Sequence, residues 1–335
     1  MILDYSSVNF DFNSLIATNN FEEDIIEFLK TWFNESDEIT VQTSGSTGIP
    51  KQIVLTKNNM RKSARMTGKY LKLKIGDTAV LAMPVNYIAG KLMIVRAIEL
   101  GLKLICLEPR STIEWNLFSY NYSSLDFVAL TPMQVEKSLE FVSHCKKVII
   151  GGAALSDKVK LDLINMDNEI YETYAMTETI THIAFKKVQN AKFTSVNPYF
   201  EAFEEVKIGQ DERNCLVIQT PYDGLEVVTN DIVELIDERN FSWIGRADNV
   251  INSGGIKLFP EQIEERLKHI IPSDFYITSE KDQILGEKVI LVVEGEEMKI
   301  DLDSAKLSRY QLPKEILFIP LFERTESGKI KRKQF

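Results

Sequence analysis

The stretch TSGSTGIPK, residues 43–51, is where chemistry is most concentrated in this chain. Thr43, Ser44, Gly45, Ser46, Thr47 and Gly48 are all hydroxyl residues or glycines, and Lys51 follows two positions after Ile49. Glycine lets backbone N–H groups turn toward an anion, hydroxyls add donors and an ammonium adds charge, so the composition points to phosphate. A loop of the NTPase type needs Gly-Lys-Ser/Thr opening a helix. Here Lys51 follows Pro50, Gln52 stands where the Mg²⁺-binding hydroxyl belongs, and KQIVLT (51–56) reads as a strand. The loop is of another kind, and standing alone a Gly/Ser-rich surface turn would explain it as well.

Such a loop needs a frame behind it. Apolar runs at 38–43 (EITVQT), 77–83 (DTAVLAM), 102–108 (LKLICLE), 126–131 (DFVALT) and 146–152 (KKVIIGG) predict buried strands. Segments near 57–72, 89–100, 133–142 and 156–165 have helical spacing, and residues 1–37 predict a lead-in helix with Ile25, Phe28 and Leu29 on one face. The alternation predicts an α/β fold, a layered domain with a largely parallel sheet. Past residue 190 the pattern changes to short strands, with DERN (237–240) supplying hairpin turn chemistry. The helical pattern FPEQIEERLKHI (259–270) follows, then strands at 274–280 and 287–295, a further helix and a basic tail. The expected division is a large domain over 1–245 and a small, mobile α+β lid domain over 246–335.

Composition limits the partners. A net charge of −10 opposes binding to nucleic acid or an anionic membrane surface, since that affinity comes from Lys and Arg releasing counterions. A small anion held by a local cluster of donors is still allowed. Cys106, Cys145 and Cys215 have no metal-type pairing and fit buried thiols in a reducing compartment. With no basic-then-apolar leader and no run of membrane-spanning length, the expected location is cytoplasmic.

Four ordered motifs settle which phosphate chemistry to expect. TSGSTGIPK, YAMTE (174–178), TND (229–231) with GRADN (245–249), and RTESGKIKR (324–332) together resemble the adenylate-forming family of acyl-CoA synthetases, peptide-synthetase adenylation domains and luciferases. The resemblance implies a reaction that joins a carboxylate to the α-phosphate of ATP and then passes the acyl group to a thiol. Catalysis of that kind is mostly positioning and charge neutralisation. It further implies that Thr43 to Gly48 and Lys51 wrap the β- and γ-phosphates, that Thr177 contacts the α-phosphate, and that Glu178 carries Mg²⁺. Gly151, Gly152, Ala153 and Tyr174 match the adenine slot, although Tyr174 also reads as a core aromatic. Asp231 matches the ribose carboxylate, assisted by Arg246, and Asp248 the hinge of the lid. Asn230 stands where the family has Gly, and Asn tolerates the left-handed conformation of a tight turn. Lys329 matches the lysine that the lid delivers to the transferring phosphate, while Lys331, Arg332 and Lys333 read as a solvated tail.

The acid and the acceptor are read from other segments. VINSGGIKLFPEQIEE (250–265) resembles the acyl-CoA ligase form of the lid loop, above all that of the o-succinylbenzoate–CoA ligases of menaquinone synthesis. Ser253, Gly254 and Gly255 would then face coenzyme A, or else simply make a tight turn. MPVNYIAGKLMIVRAI (83–98) resembles the acid pocket of the same ligases. Tyr87, Lys91, Thr181 and His182 are the candidates to line it and to meet a second carboxylate, against plain readings of Lys91 as a solvated helix residue and His182 as a satisfied polar one. Only 42 residues precede Thr43, so the resemblance implies an N-terminally shortened variant, its missing wall rebuilt by residues 1–37 or by a second subunit of a homodimer. An aryl- or fatty-acid–CoA ligase and a non-catalytic nucleotide-binding relic are the competing readings.

Overall fold

The computed structural model describes residues 1–7, 10–42, 52–153, 155–188, 197–324 and 330–333. They fall into two compact units, one with the described residues of 1–42, 52–207 and 219–227 and the other with those of 208–218 and 228–333.

The first unit opens with β1 (Ile2–Asp4) and α1 (Asn20–Phe33). The Asn19 side chain caps α1 by accepting from the Glu22 N–H, and the expected apolar face, Ile25, Phe28 and Leu29, is buried together with Phe21 and Trp32. β2 (Glu38–Gln42) and β3 (Gln52–Thr56) then form an antiparallel pair of their own, with Gln42 opposite Gln52. This corrects the expectation that 38–43 belongs to the layered sheet. Ile39 and Val41 are buried while Glu38 and Thr40 are exposed, an alternation that suits a one-sided antiparallel pair rather than a central parallel strand.

The alternation of helix and strand that follows matches the spacing: α2 (Lys57–Leu71), β4 (Thr78–Leu81), α3 (Ile88–Leu100), β5 (Lys103–Cys106), α4 (Asn116–Ser119) and β6 (Leu125–Leu130). Next come α5 (Pro132–Lys137), α6 (Leu139–Ser143), β7 (Cys145–Ile150), α7 (Asp157–Leu163) and β8 (Glu169–Ala175). The single helix expected over 133–142 is two, divided at Ser138, whose backbone leaves the helical region at φ −136° and ψ 36° while its hydroxyl accepts from the Ile113 N–H at 2.9 Å. Strands β5, β4, β6, β7 and β8 lie side by side and parallel, with β1 antiparallel on the outer edge of β5. β9 (His182–Lys187) pairs antiparallel with β8, and β10 (Phe200–Ala202) pairs antiparallel with β9. Val80, Val128, Leu130, Val148 and Ile150 from the parallel strands join Val135 and Phe141 from α5 and α6 in one apolar core. Such near-continuous apolar strands are what a sheet covered on both faces requires.

The second unit contains β11 (Lys207–Gln210), β12 (Cys215–Gln219), β13 (Glu226–Leu235) and β14 (Asn240–Arg246), in the order β14-β13-β12-β11. The turn read at 237–240 is present: the Asp237 carboxylate accepts from the N–H groups of Arg239 and Asn240, both at 2.8 Å. Beyond it, β15 (Ile251–Ser253), β16 (Ile256–Leu258), α8 (Pro260–Leu267), β17 (Phe275–Asp282), β18 (Gly286–Glu294) and β19 (Glu315–Ile319) build a five-stranded sheet with a helix. Ile263 and Leu267 of α8 share a core with Ile277, Leu291 and Val293. The helix expected after residue 295 is only a 3₁₀ turn, Leu302–Ala305, stopped by Lys306 at φ 49°. In its stead EILFI (315–319) pairs parallel with β18, a strand the sequence reading missed.

Candidate active site

In the first unit the predicted adenine and α-phosphate residues gather at the carboxyl ends of β7 and β8, the end of a parallel sheet where ligands bind. Gly151 leaves β7 with its N–H donated to the Leu130 carbonyl at 3.1 Å. A Cβ there would stand 2.5 Å from Thr173 Oγ1, so only glycine lets β8 approach this closely. Gly152 and Ala153 follow, both exposed. Tyr174 is 8% exposed, its ring tilted edge-on to Phe200 at 5.9 Å. The chain then turns sharply: Thr177 O accepts from the Ile180 N–H at 2.9 Å, and Thr179 Oγ1 donates to the Thr181 carbonyl at 2.7 Å, with the Met176 carbonyl farther off at 3.1 Å. Ile180 takes φ 68°, a strained conformation for a β-branched residue. That turn leaves Thr177 half-buried and Glu178 exposed to solvent, while Thr181 and His182 are carried inward.

Inward, the turn meets α2 and α3. Arg96 of α3 is 2% exposed, and its Nη2 donates to Thr181 Oγ1 at 3.3 Å and its Nη1 to Met93 Sδ at 3.5 Å. Its Nε is buried with no hydrogen-bond partner, and among the described residues no carboxylate pairs with it. Burial lowers its pKa from 12.5 to about 10, an effect that the nearby Tyr222 hydroxyl opposes. His182 is 3% exposed, with Nε2 2.8 Å from Thr67 Oγ1 of α2 and Nδ1 3.4 Å from Thr181 Oγ1. Burial, and then the charge of Arg96, hold His182 well below the usual histidine range, so it is neutral at physiological pH. Lys91 is turned elsewhere: its Nζ donates to the Val85 carbonyl at 2.6 Å and lies 5.6 Å from the centre of the Phe28 ring. Tyr87 stands just before the first residue of α3, with no side-chain capping bond, and is 40% exposed.

In the second unit the β13–β14 hairpin sets Asp231 opposite Arg246. Asp231 is 8% exposed, and Arg246 Nη1 reaches its Oδ1 at 3.5 Å while Nη2 reaches Asp248 Oδ2 at 3.1 Å. Asn230 lies within β13 rather than in a left-handed turn, which corrects the expectation for that position. Its amide instead donates to both Asp248 oxygens, at 3.3 and 3.2 Å, tying the 3₁₀ turn Ala247–Asn249 to the strand. Gly254 and Gly255 form the two-residue connection between β15 and β16 with φ of 60° and 78°, the pair of positive values a tight hairpin demands. Ser253 beside them is buried. Thr43, Ser44, Gly45, Ser46, Thr47, Gly48, Lys51 and Lys329 lie outside the described residues. The strands flanking the first group are paired at its two ends, Gln42 with Gln52, and the flanks of the second by an antiparallel bridge from Arg324 to Ile330.

A sequence profile of the AMP-binding enzymes matches residues 16–221, more than half of the chain. The chain belongs to the AMP-binding enzyme family. A solved structure of an acyl-CoA synthetase (AMP-forming)/AMP-acid ligase II-like protein from Dyadobacter fermentans is 34% identical to it. That alignment covers 96% of this chain and 95% of the other, with a TM-score of 0.64. The 2-succinylbenzoate–CoA ligase of Bacillus cereus (strain ATCC 10987 / NRS 248) is 24% identical over 88% of this chain and 68% of its own length. The O-succinylbenzoate coenzyme A synthetase of Bacillus subtilis, solved with ATP and a magnesium ion, shares the fold at a TM-score of 0.74 and 18% identity, over 87% of this chain and 68% of that one.

For this family member the structure brings Gly151 to Ala153, Tyr174, Thr177 and Glu178 to one end of the sheet and sets Thr181 and His182 beside Arg96, with Lys91 committed to loop carbonyls. Sequence reasoning passed over Arg96. The available signal was a lone charge inside the apolar helical run KLMIVRAI, where Leu92 to Val95 and Ala97 are all buried. No helix among the described residues is long and apolar enough to cross a membrane.

Proposed function

We propose that the chain uses ATP to activate a carboxylic acid and passes the acyl group to coenzyme A, and that the acid carries a second carboxylate. The observation that carries the second half is Arg96. A buried guanidinium with a free Nε and, among the described residues, no carboxylate partner is costly to keep and suits a site whose anion arrives with the ligand. Among acids with two carboxylates, 2-succinylbenzoate is favoured by the relatives named for it, which would place the reaction in menaquinone synthesis.

The remaining roles follow from the motif matches. Thr43 to Gly48 and Lys51 hold the terminal phosphates of ATP, Gly151 to Ala153 and Tyr174 the adenine, Asp231 with Arg246 the ribose, and Thr177 the α-phosphate. Among the described residues no group of three or more His, Cys, Asp or Glu could hold a metal ion. A Mg²⁺ arriving with ATP would rest on nucleotide oxygens, waters and the exposed Glu178, as suits an ion that keeps most of its waters. Lys329 offsets the charge developing between carboxylate and phosphorus. The domain over 246–335 then pivots at Asp248, withdrawing Lys329 and presenting Ser253, Gly254 and Gly255 to the thiol.

The test is a panel of acids with the CoA thioester detected by mass, alongside acid-dependent exchange of labelled pyrophosphate into ATP. Thioester from 2-succinylbenzoate in preference to benzoates and fatty acids is expected. Preference for a monocarboxylic acid would defeat the two-carboxylate reading, and pyrophosphate exchange with no acid at all would defeat the ligase reading.

A further inference from the structure

The buried contacts around Arg96 form a chain whose direction can be worked out. With the Thr67 proton placed on the Ser63 carbonyl at 3.1 Å, Thr67 Oγ1 is an acceptor toward His182 Nε2, 2.8 Å away. Nε2 therefore carries the imidazole proton, and Nδ1 is left as an acceptor. At the other end, Arg96 Nη2 can only donate, so the Thr181 hydroxyl accepts from it at 3.3 Å and turns its own proton toward Nδ1 at 3.4 Å. All four links run one way, from the guanidinium of α3 through Thr181, His182 and Thr67 to a backbone carbonyl of α2.

We propose that His182, as the neutral Nε2–H tautomer, is a positioning residue that locks Arg96 in the rotamer leaving its Nε edge free for the second carboxylate of the acid. The inference rests on the two-carboxylate reading of Arg96 given above. The imidazole packs against Phe185 and Phe203, with ring centres 4.7 and 5.7 Å away, in a cluster where the two phenylalanine rings also meet at 5.0 Å. Its two nitrogens are already committed, which makes it a poor carboxylate ligand and a good strut. Arg96 from α3 is the charged group bearing on His182, and a second proton on the ring would set two cations face to face and reverse the Thr181 link. Thr181 is held for this task from behind, since its carbonyl accepts from Thr179 Oγ1 within the turn that bears Thr177 and Glu178.

The test measures kcat/KM for 2-succinylbenzoate against its two monoacid analogues, 4-oxo-4-phenylbutanoate and 2-butanoylbenzoate, whichever is turned over. His182→Gln keeps a donor toward Thr67 but loses the Nδ1 acceptor, His182→Asn restores an acceptor near Nδ1, and Thr181→Val cuts the link beside Arg96. Loss of a positioning bond should lower the diacid-to-monoacid ratio about tenfold in His182→Gln and Thr181→Val, with His182→Asn within about threefold of the parent. The KM for ATP is the control and stays within about twofold. Nitrogen-15 spectra of the intact chain, which has three histidines, should show His182 as the Nε2–H tautomer at neutral pH. Equal losses on diacid and monoacid, or an Nδ1–H tautomer or imidazolium, would overturn the proposal. If the parent enzyme and Arg96→Lys both lack preference for the diacid, the two-carboxylate reading fails and takes this inference with it. If the parent prefers the diacid and Arg96→Lys does not, while the His182 and Thr181 variants keep the preference, only the positioning role fails.

Discussion

Arg96→Met separates a residue kept for the ligand from one kept for the fold. Burial brings the Arg96 pKa from 12.5 to about 10, which corresponds to about 3 kcal/mol less stabilisation of the charged form in the folded chain than in the unfolded one. Because the folded value lies below the unfolded one, this penalty is fully present wherever both states are charged, below about pH 10, and is relieved only as pH rises toward 12.5. Methionine is of similar length and needs no partner, and the hydrogen bond surrendered to Thr181 is a long one at 3.3 Å. Unfolding in urea without any acid present should therefore show Arg96→Met at least as stable as the parent, by about 0–3 kcal/mol. With the acid, the order reverses. Removing one partner of a buried charge pair costs about 2–5 kcal/mol, so KM for a dicarboxylic acid should rise by about thirtyfold or more while KM for ATP stays put. A thermal or urea midpoint well below the parent's, coupled with equal losses on diacids and monoacids, would refute the reasoning, because Arg96 would then be an ordinary structural residue.

Lys329→Ala should reduce acid-dependent pyrophosphate exchange by about a hundredfold or more and spare thioester formation from supplied acyl-adenylate, and equal losses in the two half-reactions would discard the pivoting domain. Gly151→Ala drives a methyl to 2.5 Å from Thr173 Oγ1 and should cost about 1–3 kcal/mol in urea unfolding, largely recovered in the double variant with Thr173→Ala; an unrecovered loss would mean the clash lies elsewhere. Asp126 is pushed up by burial, yet the hydrogen bonds from Lys146 and Thr78 outweigh this and hold its pKa below the usual carboxylate range. Its stabilising share is therefore present above the ordinary aspartate pKa and is lost as pH falls through the lowered one, so the stability gap between the parent and Asp126→Asn should narrow from neutral to acid pH. A gap independent of pH would remove that carboxylate from the account.

Much of the frame was legible because burial leaves a local trace. The stripe on α1 and the apolar runs of β4 to β7 record, residue by residue, which faces are covered. What a segment pairs with leaves no such trace. The run at 38–43 is a strand on its own evidence, but only the presence of Gln52–Thr56 beside it makes it half of a separate hairpin. EILFI became a strand only because the edge of β18 was there to receive it, and the helix break at Ser138 sits where its hydroxyl meets the N–H of Ile113, 25 residues away in sequence.

The same division holds at the site. Motif order alone named the family and nominated nearly every nucleotide-side residue, since a reaction on ATP constrains short, contiguous segments whose residue types are the chemistry. The acid side is different. Thr67, Arg96, Thr181 and His182 come from three separate stretches of chain, and as letters they are a helix hydroxyl, a stray charge and the tail of a motif. Folding α2, α3 and the turn after β8 together buries Thr67, Arg96 and His182 with Thr181 half-buried beside them, and it is that loss of solvent that leaves an unremarked arginine with a buried Nε and, among the described residues, no carboxylate partner.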